Sequence, residues 1–414
     1  MQTNLLSLNK KILPFAFVGS ALEFYEFTIY GIFAPIFAQQ FFVSDSHVVA
    51  LIKSWGVFAI AFIMRPVGAL LFGYIGDTLG RKMALSLSIL FMAIATLSIG
   101  LLPTYQEAGL FAPISLILLR CLQGLSTGGE YNGAAIYLIE KFDYKNPGVM
   151  GGIATSSCVL GSLVGTIFGG WCKSHDMWRL AFIVGGLFGM CLFFLRFMLS
   201  ESLVISGKMS GKSTKEESST RAKYITKFLA NVFIGGVNGA LTYTLFGFSL
   251  FYLERYIGHS ASTALSINIA GMLSFFIFNP TFGYVYDRTG SERYWSSALL
   301  INIIATFVSF YFITSNSYIL NYIGVIMLGA QTGSIAGPSH AFFQENIAPE
   351  IRYRFVSVSF SLGMGIIGGI TPVFMTFIIE NYKLLTAPCY WVGSLAVITL
   401  IFMHWTRSLW RTIK

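Results

Sequence analysis

The chain has 414 residues, 55% of them hydrophobic and only 11% charged, with a formal net charge of +9 and a mean hydropathy of +0.69. Soluble domains carry about 25% charged residues, so this composition excludes a water-soluble globule and requires lipid as solvent. A basic excess would suit nucleic acid in a soluble protein, but here the bases fall in short loops between apolar runs, the pattern of membrane topology, and no nucleic-acid partner is expected.

A bilayer core of roughly 30 Å takes about 20 apolar residues per helical span. The apolar runs predict twelve spans, near 12–41, 48–75, 83–102, 110–139, 148–172 and 177–199, then 223–255, 261–285, 294–314, 316–344, 353–380 and 386–406. The first run follows Lys10 and Lys11 but continues to about Phe42 and carries Glu23 and Glu26. Signal-peptide cores are shorter and uncharged, so this is read as a retained span. Residues 200–222 are rich in Ser, Gly and Lys and hold no aromatic residue, the composition of a flexible linker. The predicted division is therefore an N-terminal six-helix bundle over 1–199, a cytoplasmic linker over 200–222 and a C-terminal six-helix bundle over 223–414.

Loop bases set the orientation. With the N-terminus inside, the inner loops hold Lys10, Lys11, Arg81, Lys82, Lys141, Lys145, Arg288, Arg293, Arg352, Arg354, Arg411 and Lys414, whereas the outer loops hold only a few, such as Lys53, Lys173 and Lys383. Both termini are expected to be cytoplasmic. An internal repeat supports the two halves: GYIGDTLGRK follows span two and GYVYDRTGSER follows span eight, so Gly73, Tyr74, Asp77 and Gly80 correspond at a constant offset to Gly283, Tyr284, Asp287 and Gly290. Parallel six-helix repeats mark a transporter architecture whose substrate site lies near the midplane. The five cysteines, Cys121, Cys158, Cys172, Cys191 and Cys389, show no metal or redox spacing and are read as apolar packing.

The loop GALLFGYIGDTLGRK (68–82) resembles the signature of the major facilitator superfamily at Gly73, Asp77, Gly80, Arg81 and Lys82. Further segments resemble its metabolite:proton symporter branch, which includes proline/betaine, dicarboxylate and shikimate carriers. These are Glu23-Phe24-Tyr25-Glu26-Phe27 followed by Tyr30, Arg65-Pro66-Val67-Gly68-Ala69, Arg120 with Gln123-Gly124 and Gly128-Gly129-Glu130, Glu140 closing span four, Trp178-Arg179, and Gly368-Gly369 with Thr371-Pro372. The resemblance implies an all-α membrane protein of twelve transmembrane helices in two pseudo-symmetric six-helix bundles, the major facilitator fold. It also implies alternating access, a proton gradient rather than a cofactor as energy source, a monomer, and the bacterial inner membrane. In the family, acids such as Asp77 and Asp287, with Arg81 and Lys82, form a cytoplasmic gate; the second copy carries Ser291 and Glu292 where the first has the two bases. Glu26 stands where the branch usually has Asp. The sequence ends soon after span twelve, without the long extension of some osmosensing members. Span five reads GSLVGTIFGG, lacking the Gly-Pro of antiporter-like members, which leans toward symport.

An ionisable side chain in mid-membrane costs roughly 2.5–3.5 kcal/mol or more and usually faces a polar cavity. Such residues concentrate in the first half: Glu23, Glu26, Arg65, Arg120 and Glu130. The second half offers mostly neutral groups at depth, among them Asn238, Tyr243, Asn279, Gln331 and Ser334. Glu23 and Glu26 are three apart and share a helix face with Tyr30 one turn on, and two close carboxylates in low dielectric resist ionising together, which suits proton exchange. Arg120 and Glu130, ten residues apart, lie about 15 Å apart along the helix and cannot pair. An acid of span one facing Arg120 would form a salt bridge that a proton opens, freeing the planar guanidinium for a substrate carboxylate. Arg65 is a second carboxylate anchor or a structural partner of Glu130, and Glu130 is an inter-helix bond or part of the proton route. Arg179 is read as interfacial, and His340 as a hydrogen-bonded structural group.

No nucleotide loop, metal cluster or nucleophile constellation is present, so neither ATP-driven transport nor an enzyme is expected. The reading is proton-coupled symport of a small carboxylate-bearing metabolite, a zwitterion such as proline or betaine before an organic acid. A proton-independent facilitator or exporter, and a solute sensor that transports nothing, are the alternatives. The partners expected are the solute, the proton and membrane lipid.

Overall fold

The computed structural model describes residues 2–42, 47–142, 145–197, 217–345 and 347–406, and their side chains apart from those of 2–17, 47–52, 55, 58, 59 and 217–220. The described chain is 91% helical and without strands, and twelve of its helices are long and apolar enough to cross a membrane. In order they are Gln2–Phe41, His47–Thr78, Arg81–Leu101, Phe111–Lys141, Pro147–Ser174 and Trp178–Phe197, then a seventh beginning at Glu217, Ala261–Thr289, Ser291–Ile313, Tyr318–Gln344, an eleventh beginning at Pro349, and Ala387–Trp405. Each predicted span has its helix, and they are numbered here as spans one to twelve.

Span seven starts inside the segment read as linker, at Glu217, and passes through two π-helical stretches, Thr244–Phe248 and Leu253–Ile257. Span eleven is likewise interrupted by a π-helical stretch, Gly363–Gly368, before resuming as Gly369–Tyr382. The rest of the linker, 200–216, and the terminal Arg411 and Lys414 lie outside the described residues, as do the side chains of Lys10 and Lys11. A single helical turn, Tyr105–Ala108, precedes span four; Thr104 and Glu107 form its capping box. It carries no hydrophobic period, which is why sequence patterning does not reveal it.

The chain forms two compact units. One comprises Met1–Asp143, Ser157–Gly207 and Pro349–Val358, and the other Tyr144–Ser156, Lys208–Ala348 and Ser359–Lys414. The start of span eleven thus belongs to the first unit and the start of span five to the second. The repeated loops are alike in backbone: Gly80 and Gly290, matched in the repeat, both hold positive φ, 106° and 79°, where a side chain would be strained.

Inside the first unit, spans two and four meet backbone to backbone. A Cβ on Gly68 would stand 1.9 Å from Leu125 O, one on Gly124 2.2 Å from Ala61 O, and one on Gly128 2.2 Å from Arg65 O. Small residues permit such approach in a bilayer, where helices associate by packing rather than by expelling water. The same unit holds an aromatic core of Phe33, Phe37, Phe41, Trp178 and Phe182, with Phe37 edge-on to Trp178 at 5.2 Å between centroids. Inside the second unit, spans eight and ten meet in the same way, with Gly329 against Gly271 O at 2.1 Å and Gly337 against Asn279 O at 2.2 Å for the corresponding Cβ positions.

Candidate functional site

The glycine seam between spans two and four brings their polar side chains against span one. Glu23 and Glu26 are both buried, but they turn to different helices. Glu23 Oε1 accepts from Arg65 Nη2 at 2.9 Å, and the Arg65 guanidinium also lies over Phe27 and Phe62, 4.8 and 4.9 Å from their centroids. Delocalised charge on an aromatic face recovers part of the desolvation cost. Pairing of Arg65 with Glu130 is therefore corrected: the arginine belongs to Glu23.

Glu26 faces spans three and four. Its Oε2 accepts from the Thr96 hydroxyl and from Gln123 Nε2 at 2.7 Å, and Gln123 Nε2 also donates to Thr96 Oγ1 at 2.7 Å. At the other end of the same amide, Gln123 Oε1 accepts from Arg120 Nη1 at 2.7 Å. The amide orientation follows from its partners, since a guanidinium only donates and a carboxylate only accepts. Arg120, also buried, lies over Tyr30 at 4.1 Å and near Phe27 at 5.6 Å. Tyr30 donates to Ser54 O at 3.2 Å and so ties spans one and two. The expected direct acid–arginine pair between spans one and four is thus replaced by a bridge through Gln123. The other oxygen, Glu26 Oε1, accepts no hydrogen bond among the described residues; it faces Gly185 of span six, where a Cβ would stand 3.3 Å away.

Glu130 is held apart from this network. Arg196 of span six grips it with both terminal nitrogens, Nη2 to Oε1 at 2.5 Å and Nη1 to Oε2 at 2.8 Å. Ser88 of span three donates to Oε2 at 2.7 Å, and Arg196 Nη1 reaches Leu85 O at 2.8 Å. Gly19 of span one closes over the pair, for a Cβ there would lie 1.9 Å from Arg196 Nη2 and 2.0 Å from Glu130 Oε1. A carboxylate with both oxygens in a bidentate fork braces neighbouring helices, so Glu130 forms the inter-helix bond that was one of its two readings.

The repeated loops hold helix starts. In the first unit Asp77 accepts from Tyr353 N at 3.0 Å and Arg354 N at 3.1 Å, near the start of span eleven, and from Arg81 Nη1 at 2.9 Å. Arg81, fully buried, spends its donors on Glu140, Gly76 O and Pro349 O as well, and Arg352 joins Glu140 at 2.9 Å. Lys82 is partly buried beside it. In the second unit Asp287 accepts from Gly148 N at 2.7 Å and Val149 N at 3.1 Å, at the very start of span five, where the helix dipole favours an anion.

The second-half candidates lie in the second unit. Asn238 is buried, and its Oδ1 accepts from Thr242 at 3.1 Å; Tyr243 packs by Gly368 of span eleven, next to the first π-helical stretch. Gln331 is held by span nine. Its Oε1 accepts from Thr306 at 3.1 Å, and its Nε2 donates to Ala305 O at 3.0 Å and to Ser309 Oγ. Its amide thus ties span ten to span nine, and Gln331 also lines a cavity with Asn302 and Ser334.

The model of the Major Facilitator Superfamily matches residues 16–372. The chain belongs to that superfamily. It is 29% identical over 412 residues to a putative proline/betaine transporter of Staphylococcus aureus, covering 95% of this chain and 88% of the relative. It is 28% identical to the proline/betaine transporter of Escherichia coli, covering 95% and 82%. Among solved structures, a superfamily proton:xylose symporter superposes with a TM-score of 0.76 at 15% identity, covering 96% and 95% of the two chains. The E. coli fucose:proton symporter does so with 0.67 at 15% identity, covering 95% and 98%. The protein is an integral membrane transporter of the major facilitator fold, not an enzyme.

Several members of this candidate site escape sequence reading. Arg196 is an arginine inside the apolar run LFFLRFM, and the rule that flags buried charge would have found it. Arg352 has only the signal of a loop base in the sequence. Thr96 and Ser88 carry no sequence signal, since hydroxyls are common in spans and ordinarily bond their own helix. Lys227 of span seven, buried, donates to Phe342 O at 2.7 Å, and Asn231 one turn on donates to Phe343 O at 3.3 Å. Together they cap the last carbonyls of span ten, so the second half is not wholly without buried charge. Arg179 caps span three, donating to Leu102 O.

Proposed function

We propose that the protein is a proton-coupled symporter of a small carboxylate-bearing metabolite, with a zwitterion such as proline or betaine preferred to an organic acid. The observation that carries this reading is the buried chain Glu26–Gln123–Arg120 beside the pair Glu23–Arg65. Two acids and two guanidiniums balance in charge. A proton on one acid leaves one positive charge, which a substrate carboxylate neutralises, so the two enter a low-dielectric site together at less cost than either alone. The aromatic faces of Phe27, Tyr30 and Phe62, already lying against guanidinium groups, suit the ammonium end of a zwitterion. The relatives named as proline/betaine transporters support the same class.

In this reading transport proceeds by alternating access, with the proton gradient as energy source and no cofactor. The protein works as a monomer in the bacterial inner membrane with both termini cytoplasmic. Glu23, Glu26, Tyr30, Arg65, Arg120 and Gln123 handle proton and substrate, and Asn238 and Tyr243 contribute from the second half. Asp77, Arg81, Lys82 and Asp287 gate the cytoplasmic side by holding the starts of spans eleven and five. Uptake of radiolabelled proline and glycine betaine into proteoliposomes tests it. Accumulation driven by an inward proton gradient is expected; equal accumulation with and without the gradient defeats symport in favour of a facilitator, and absence of any flux leaves a sensor. Glu26→Gln should abolish gradient-driven uptake while counterflow exchange persists.

A further inference from the structure

Gln123 touches the acid and the base of the site with opposite ends of one amide. Its Nε2 donates to Glu26 Oε2 and its Oε1 accepts from Arg120 Nη1, each at 2.7 Å. Its remaining N–H goes to Thr96 Oγ1, and the Thr96 hydroxyl donates to the same Glu26 oxygen. Every hydrogen in this ring therefore has an assigned direction, and Glu26 Oε2 is occupied by two donors. Oε1 accepts none among the described residues and faces the bare backbone of Gly185.

We infer that Gln123 is a positioning residue that transmits the protonation state of Glu26 to Arg120, with the transported proton carried on Glu26 Oε1. This rests on the symport reading and deepens it. A proton from the aqueous phase adds to a lone pair of Oε1, forming an O–H bond and turning the carboxylate into a neutral acid. Oε2 then holds Gln123 and Thr96 as a carbonyl oxygen, and such bonds are about half as strong as those to an ionised group. The loosened amide turns, and the Arg120 N–H it occupied passes to the substrate carboxylate. The charge on Glu26 and Arg120 together goes from zero to plus one on protonation and returns to zero when the substrate binds. Loss of the proton on the other side reverses each step. The ionisable groups that face Glu26 are Arg120 from span four and Tyr25 on its own helix. Span three presents Thr96 and span six Gly185, Tyr25 is tied to Ala181 O at 2.7 Å, and Arg65 of span two is turned to Glu23.

The test uses the purified full chain in lipid and the pH dependence of the Kd for proline and glycine betaine. A single linked proton makes the wild-type Kd fall by about tenfold per unit of acidification. In Gln123→Leu, which keeps bulk but has no polar end, and in Gln123→Asn, which is polar but too short to reach both partners, the dependence should flatten to less than about twofold per unit, because the linkage is cut. A structural role would instead weaken binding equally at every pH and leave the slope intact, so a folded variant with the wild-type slope overturns the inference. A second readout needs no substrate. The protonated-carboxyl infrared band that vanishes in Glu26→Gln should titrate with a midpoint displaced by about one pH unit in Gln123→Leu, the size expected for one charge-assisted hydrogen bond. An unmoved midpoint overturns the relay even if neither solute binds, whereas a moved midpoint with no solute binding leaves the relay standing and counts against the proposed substrate class.

Discussion

Spans two and four of the first unit and spans eight and ten of the second are joined by the same device and differ in what the device holds. In both, glycines bring backbones so close that a Cβ would stand about 2 Å from a facing carbonyl oxygen. The first seam places Arg65, Arg120 and Gln123 against the acids of span one. The second is flanked mostly by neutral groups: Gln331 is bound to Thr306, Ala305 and Ser309, and Asn302 donates to Ser334 at 2.8 Å, while Lys227 and Glu345 lie at the end of span ten. The repeat therefore preserves packing, which depends on the absence of side chains at a few positions, and leaves the chemistry of the enclosed groups free to diverge. The first unit encloses two acids and two guanidiniums beside its seam, Glu23, Glu26, Arg65 and Arg120, and the second encloses mainly amides and hydroxyls.

The largest effect should come from unbalancing the charged half. Glu130→Ala or Arg196→Ala alone leaves a buried partner uncompensated and should cost about 3–5 kcal/mol. The double variant Glu130→Leu with Arg196→Leu should recover most of it, and equal melting temperatures for single and double variants would deny the brace. Next come the seams themselves. Gly124→Ala and Gly329→Ala should each lose about 1–3 kcal/mol in thermal unfolding through overpacking, and only the first should also reduce proton-driven uptake; if both do, the division of labour between the halves is wrong. Gln331→Leu should cost about 1 kcal/mol from its lost hydrogen bonds while proton-driven uptake persists; its loss would return Gln331 to the binding site.

The smallest effect tests a part outside the seams. Glu107, exposed, accepts from Thr104 N at 2.7 Å and from the Thr104 hydroxyl at 3.1 Å. The backbone bond first, and the hydroxyl second, hold its carboxyl below the usual carboxylate range. A lowered folded value means that its stabilisation of the turn Tyr105–Ala108 is present above the unfolded value and is lost as pH falls through the folded one. Amide exchange of that turn should quicken on acidification, and in Glu107→Gln this pH dependence should disappear.

Much of the site was legible in the sequence, because charge in an apolar run is costly and therefore conspicuous. Glu23, Glu26, Arg65, Arg120 and Gln123 were found that way or by resemblance, and all lie in the first unit. The partnerships were not legible. Spacing along one helix shows which residues share a face but not which neighbouring helix that face meets, so Glu130 was offered Arg65 and in the fold takes Arg196. Glu26 was offered an arginine and takes an amide. Hydroxyls such as Thr96 and Ser88 become part of the site only where another helix delivers an acid to them.

By itself the sequence determined the solvent, the number of spans, the two-fold repeat and the half that carries most of the buried charge. Each of these follows from local composition and from the roughly 20 apolar residues that a bilayer demands of a helix. The tertiary structure decided which acid meets which base, that an amide stands between Glu26 and Arg120, and that the starts of spans five and eleven are held by Asp287 and Asp77. Those choices depend on how closely and at what height two helices meet, which is set by packing over many residues at once.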